Sequence, residues 1–308
     1  MTAYTFDLLS EAEQGKPALP LLGSRPFVQR SLGGESGATI HAIQAKQYQP
    51  SPDLRRAINT AIALGQPLLL TGQPGCGKTQ AAYWIAHILK LEPVLEFTVR
   101  STTAARELLY EFEAVRYMAA CLQVKDGPLP ERRDFIIERP LWQAFKSPTP
   151  RVLIIDEIDK APRDFPNDLL RELDQWSFKI DELGEIGKPP PEPVAVPASR
   201  RPIVVITSNS ERPLPDAFLR RCIFHHIDLT TKMVATILTA RRDAGDFAAT
   251  DATIADAAKL PETLRVARSP GIAELLAWLA ARDLEGGKPP YEGVILKTPD
   301  DLREKSKA

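Results

Sequence analysis

The chain is constrained most by eight residues, Gly72-Gln73-Pro74-Gly75-Cys76-Gly77-Lys78-Thr79, which fit the phosphate-binding pattern G-x-x-x-x-G-K-[ST]. The flanks agree with it. Pro67-Leu68-Leu69-Leu70-Thr71 reads as a short buried strand entering the loop. Thr79 to Leu89 reads as a helix leaving it, apolar at positions 81, 82, 85, 88 and 89. Strand, glycine loop and helix together aim backbone N–H groups and the positive end of a helix at one point, where an anion can sit. Gly75 and Gly77 let the main chain approach phosphates with no Cβ in the way. Lys78 is expected to reach the β- and γ-phosphates and the Thr79 hydroxyl to ligate Mg²⁺. Gly72, Gln73, Pro74, Cys76 and Gln80 complete the cradle.

A second motif lies downstream. Val152-Leu153-Ile154-Ile155 reads as a strand buried on both faces, as in a parallel sheet. Asp156 and Glu157 follow at its C-terminal end, where open α/β sheets bind ligands. Asp156 is placed to hold Mg²⁺ through water, and Glu157 to polarise the water attacking the γ-phosphate. Another buried strand, Ile203 to Thr207, ends at Ser208-Asn209-Ser210 and brings Asn209 to the same edge. Its amide can orient water or touch the γ-phosphate, and it equally suits a turn. Pro215 to Arg221 reads as a short helix ending in Arg220 and Arg221, where the helix dipole alone favours arginine. The strand Ile223 to Asp228 comes next.

The remaining elements fall around these. Ser51 caps a helix with Pro52 in its first position and an apolar face of Leu54, Ala57, Ile58, Ala61, Ile62 and Leu64; Gly65 ends it. Val94 to Val99 is a strand, and Ser101 or Thr102 caps a helix carrying Ala105, Leu108 and Leu109. Residues 110–146 are too long for a simple crossover and are read as an insertion from that second helix. Phe178-Lys179-Ile180 and Val194-Ala195-Val196 flank a proline run and suggest a hairpin ahead of the strand at Ile203. Past Thr230 the strands stop and three helices follow, the last capped by Ser269, before a charged segment from Thr298. The expected division is an N-terminal arm (1–50, with short strands near 27–29 and 39–43), an αβα nucleotide-binding domain (51–229) and a small α-helical lid (230–308).

Charge and composition remove some function classes. The 39 Lys+Arg are balanced by 40 Asp+Glu, and acidic residues surround most of the basic pairs, which argues against a nucleic-acid interface. Cys76, Cys121 and Cys222 fit no metal-ligand spacing. No apolar run approaches the ~18–20 residues that span a bilayer, and the N-terminus lacks the basic and apolar regions of a signal peptide. The expectation is a cytoplasmic protein with no membrane partner.

Taken in order, the P-loop, acidic strand end, asparagine strand end, arginine pair and helical C-terminal region resemble the AAA+ ATPases, and within them the MoxR family. The residues that carry the resemblance are Leu68 to Thr79, Leu153 to Pro162 with Asp164 to Asp168, and Thr207 to Arg212 through Pro215 to Cys222. The resemblance implies an α/β P-loop core of parallel sheet between helices, with an insertion in the second helix and a hairpin before the sensor strand, then a helical lid. It makes Lys78 and Thr79 the Walker A pair, Asp156 and Glu157 the Walker B pair, and Asn209 the sensor of the γ-phosphate. Arg221, or less well Arg220, becomes an arginine finger acting on a neighbouring subunit's nucleotide. It implies ATP and Mg²⁺ as ligands, assembly into a ring, expected to be a hexamer, and remodelling of a protein partner bearing a von Willebrand factor A domain. Many such lids carry a nucleotide-contacting arginine directly after Ser-Pro. Here Ser269-Pro270 precedes Gly271, leaving Arg268 as the available substitute. The competing classes are a nucleic-acid-directed motor or GTP-using restriction-type subunit, and a nucleotide-bound scaffold that hydrolyses poorly.

Overall fold

The computed structural model describes residues 45–46, 48–125, 127–184, 189, 191–264 and 269–298. The expected strands near 27–29 and 39–43, residues 185–188 and 190 around the proline run, Arg268 and the charged end beyond Thr298 lie outside the described residues. The chain forms two compact units. One takes in Pro50–Gly72 and Ala81–Ile227; the other takes in Met1–Gln49, Gln73–Gln80 and Asp228–Ala308.

The first unit is built on a five-stranded sheet in which every pairing is parallel. Its strands are β1 (Leu68–Gly72), β2 (Leu95–Thr98), β5 (Val152–Asp156), β8 (Ile203–Ser208) and β9 (Ile223–Ile227), in the order β2-β5-β8-β1-β9. The three inner strands are the near-continuous aliphatic runs of the sequence, and they are buried almost end to end. A strand covered on both faces has no use for alternation, which is why these runs contain none. The register places Leu70 beside Thr207 and Ile155 beside Ile206. The C-terminal ends of β1, β5 and β8 therefore lie level along one edge.

Local signals set the helices. Helix α1 (Pro52–Leu64) starts where the Ser51 side chain accepts the Leu54 N–H and stops at Gly65, whose φ of +64° is the left-handed conformation glycine adopts without strain. Helix α2 (Lys78–Leu89) leaves the P-loop. The second helical element is only one turn, α3 (Arg106–Leu109), and begins after Ala105 rather than Ser101 or Thr102. The Thr103 hydroxyl accepts the Arg100 N–H instead, closing a turn ahead of the helix. Between α3 and α5 (Pro140–Lys146) the insertion forms an antiparallel pair, β3 (Tyr110–Phe112) and β4 (Ile136–Glu138), enclosing helix α4 (Ala114–Gln123). After α6 (Phe165–Gln175), the second hairpin is the short pair β6 (Ser177–Phe178) and β7 (Val194–Ala195). A one-turn helix, α7 (Asp216–Leu219), precedes β9.

The two insertions are tied to each other. The Tyr110 ring stacks on Phe178 and meets Trp142 edge-on. Its hydroxyl donates to Glu182 Oε2 at 2.6 Å, while Arg106 pairs with the other oxygen of that carboxylate at 2.7 Å. Arg132, beyond α4, donates to the Glu182 carbonyl. Burial and the Glu182 carboxylate push the Tyr110 phenol up to about 12.

The second unit has a core of Val234, Leu238, Ile254, Ala257, Leu275 and Leu279 from α8 (Thr231–Asp243), α9 (Asp251–Thr263) and α10 (Ile272–Leu284). Thr230 and Thr250 cap the first two helices. Helix α10 is capped at Gly271, not Ser269: the Gly271 N–H donates to the Glu274 carboxylate, and Pro270 keeps the preceding backbone out of the helix. No helix among the described residues is long and apolar enough to cross a membrane.

Candidate functional site

The P-loop takes the shape its glycines permit. Gly75 and Gly77 have φ of +78° and +92°, a region closed to most side chains. A Cβ on Gly77 would also lie 2.9 Å from the Tyr48 ring. The loop closes through the Cys76 N–H to the Gln73 carbonyl, and the buried Lys78 ammonium donates back to that carbonyl at 3.0 Å. The Cys76 thiol lies near the same ammonium, but burial dominates and pushes it up, so it remains a protonated packing group. The start of α10 sits against this loop. A Cβ built on Gly271 would lie 2.5 Å from the Pro74 carbonyl oxygen, and Gly75 approaches the Ala273 N–H. The position directly after Ser269-Pro270 is thus one where no side chain fits.

In the sheet unit, Asp156 is the last residue of β5. Thr207, fully buried on the adjacent β8, donates its hydroxyl hydrogen to Asp156 Oδ1 and accepts the Glu157 N–H at 2.9 Å. That second bond holds Glu157 in the left-handed conformation, φ +61°, which costs a non-glycine residue roughly 1–2 kcal/mol. The turn throws the Glu157 side chain off the strand axis. One carboxylate oxygen pairs with Lys160 Nζ at 2.6 Å, and the other lies 3.5 Å from Asn209 Nδ2. The same hydrogen bond, donated to Glu157, raises the Lys160 ammonium above its ordinary value.

Asn209 is held from below. Asp159 is buried, and its Oδ2 accepts the N–H groups of both Asn209 and Glu211, clamping the loop after β8. A cavity of 370 Å³ opens beside these groups, lined by Arg100, Ser101, Glu157, Lys160 and Arg212. The structure thus brings Asp156, Glu157 and Asn209 together at the C-terminal edge of the sheet, level with Gly72 at the end of β1.

Arg220 and Arg221 are elsewhere. They precede β9, and Ile223 is paired with Leu68 at the start of β1, so they lie at the N-terminal edge. Arg221 donates to Asp174 Oδ2 at 2.7 Å and to the Ala217 carbonyl; Arg220 is exposed. A five-residue strand at ~3.3 Å per residue separates the two edges by about 17 Å.

Residues 67–222, 156 of the 308, match the family described as AAA domain (dynein-related subfamily). The chain belongs to this AAA family. No curated protein sequence matches it. Among solved structures, a RuvB mutant from Thermotoga maritima is 19% identical, with 68% of this chain and 54% of that one covered and a TM-score of 0.41. A second mutant of the same protein is 19% identical over 90% of this chain and 73% of that one, with a TM-score of 0.44. NtrX from Brucella abortus, in complex with ATP, is 14% identical over 97% and 66%, with a TM-score of 0.46. The chain spans just over half of the first of these proteins and about two thirds of NtrX. At such scores they carry no argument; the AAA fold rests on the parallel sheet, its P-loop and the family match.

Three residues of this AAA domain's site were missed in the sequence: Thr207, Asp159 and Lys160. Asp159 and Lys160 sit in the same run as Glu157, and a buried aspartate after a strand end is a readable signal for a loop clamp. Thr207 carries no such mark, because a threonine in a strand ordinarily signals nothing beyond β-preference.

Proposed function

We propose that this AAA domain is an ATP hydrolase. The observation that supports it most is the group at the sheet edge: a metal-type carboxylate, Asp156, beside a second carboxylate, Glu157, turned off the strand and within reach of the Asn209 amide. In this reading Lys78 and the P-loop N–H groups bind the β- and γ-phosphates, and Glu157 accepts a hydrogen bond from the attacking water. Asn209 orients that water or the γ-phosphate.

Mg²⁺ suits the donors present. It takes one or two protein oxygens and fills its remaining positions with water and phosphate, so the Thr79 hydroxyl and the Asp156 carboxylate suffice. When bound, the ion neutralises phosphate charge. Thr207 holds the Asp156 carboxylate in place through its hydroxyl.

The order of motifs resembles the MoxR family, and we extend the proposal accordingly. Copies assemble into a ring, Arg221 acts on the neighbour's nucleotide, and the work is done on a protein partner, of the type bearing a von Willebrand factor A domain. One feature supports a finger acting in trans: Arg221 sits at the sheet edge opposite its own Asp156.

The test is Glu157→Gln. It should bind ATP with native affinity and lose turnover by at least ~100-fold, the usual worth of a positioned base. Native turnover in that variant would refute the assignment. A preference for GTP, or strong stimulation by DNA in the native protein, would favour the motor or restriction-type reading instead.

A further inference from the structure

A cavity of 190 Å³ lies at the N-terminal edge of the sheet, lined by Pro67, Asp174, Trp176, Arg201, Arg221 and Cys222 among others. Arg201 stands two residues before β8, Arg221 two residues before β9, and Pro67 directly before β1 between them. The two arginines therefore spring from points about two strand spacings apart, ~10 Å, and both line one cavity. They are held differently. Arg221 is engaged by Asp174 and the Ala217 carbonyl. The Arg201 guanidinium lies over the face of Trp176, 5.5 Å from the ring centroid, and has no carboxylate or hydrogen-bond partner among the described residues. Trp176 is buried and fixed in a left-handed turn at the end of α6, so it is a rigid platform.

Stacking on an aromatic face orients a guanidinium while leaving its in-plane N–H donors free, and that fork matches an oxyanion in a bidentate way. Two arginines against one aspartate leave the cavity with an excess positive charge. The cavity cannot serve its own chain's acidic edge, about 17 Å away across the sheet.

We propose that Arg201 and Arg221 together form a receptor for the terminal phosphate of a nucleoside triphosphate held by a second copy of this chain. The proposal rests on the reading of Arg221 as a trans-acting finger and adds Arg201 as a second cation of that site. In the assembled state Arg201, pre-oriented on Trp176, and Arg221, turned from Asp174, share the charge that develops on the transferring phosphoryl oxygens.

The experiment uses full-length chains and mixing. Arg201→Met keeps an unbranched apolar stem over Trp176 and removes the charge. Alone, it should lose turnover on the order of 10²-fold, as for removal of one preorganised donor, with ATP binding unchanged; Arg201→Lys should recover part of the loss. Mixed with Lys78→Ala, which cannot use its own P-loop but keeps both arginines, Arg201→Met should regain activity, because the Lys78→Ala copy completes its site. A parallel mix of Arg221→Ala with Lys78→Ala is the control. Native turnover in Arg201→Met overturns the proposal. So does a mix that stays inactive while the Arg221 control recovers, which would make Arg201 structural and leave the trans finger standing. If neither mix recovers, the trans reading of Arg221 fails with it. Weakened self-association with native turnover at saturating protein would identify the oxyanion as an acidic side chain of the neighbour, and would also overturn the proposal.

Discussion

Thr207→Val is the most incisive change to the acidic edge of the sheet, because it keeps shape and removes one oxygen. In the native protein that oxygen donates to Asp156 and accepts the Glu157 N–H, at a fully buried position. Removing it leaves a part-buried N–H without its partner, at up to about 1–3 kcal/mol, and takes a donor from a carboxylate, at about 1.5–3 kcal/mol. Access of water to Asp156 and the added apolar contact of valine offset part of this, so a net loss of about 1–3 kcal/mol is expected. For a domain of this size that is a fall in Tm of roughly 3–10 °C. The larger effect should be on chemistry. Without its tether, the left-handed Glu157 can relax, and a misplacement near 1 Å costs about 10²-fold in rate. Thermal unfolding without nucleotide and steady-state phosphate release with ATP measure the two effects separately. Thr207→Ser, which keeps the oxygen, should stay close to native in both. Turnover within a factor of two of native in Thr207→Val would refute the reasoning, whatever happened to Tm.

Three further outcomes are expected. Tyr110→Phe cuts the tie to Glu182; because the folded phenol is raised from about 10 to about 12, the native protein's advantage should be complete below pH 10 and vanish as pH rises through about 12, read as the Tm difference between the two. Gly271→Ala places a Cβ 2.5 Å from the Pro74 carbonyl and should raise the KM for ATP while costing about 1–3 kcal/mol of stability, checked by kinetics and denaturant unfolding. Lys160→Met frees one oxygen of Glu157 and should change kcat with little effect on nucleotide affinity, measured by titration with a fluorescent ATP analogue.

Much of the fold was legible because its signals are local. Ser51 and Gly65 bound α1 as their chemistry requires, and the aliphatic runs ending in Gly72, Asp156 and Ser208 became the three inner strands. Legibility failed where a cap depends on what lies across from it. Ser269 looks like an N-cap, but the Glu274 carboxylate takes that part at Gly271, pressed against the P-loop. Ser101 and Thr102 look like caps too, while Thr103 closes a turn instead. The site was legible to the same extent. Asp156 and Glu157 are neighbours in a recognisable run, whereas the bond from the Glu157 N–H to Thr207 crosses 50 residues and the one from Tyr110 to Glu182 crosses 72.

The sequence by itself determined that a P-loop follows a buried strand, that two carboxylates end another, and that the parallel sheet must hold both at one edge. These follow from short-range chemistry: glycine torsions, aliphatic runs and the geometry of parallel strands. Only the tertiary structure decided which way Glu157 turns, what holds Asn209, and that Arg201 and Arg221 meet in one cavity at the far edge. Those outcomes depend on strand order and on hydrogen bonds between residues far apart in the chain, and no local pattern encodes which strand will lie beside which.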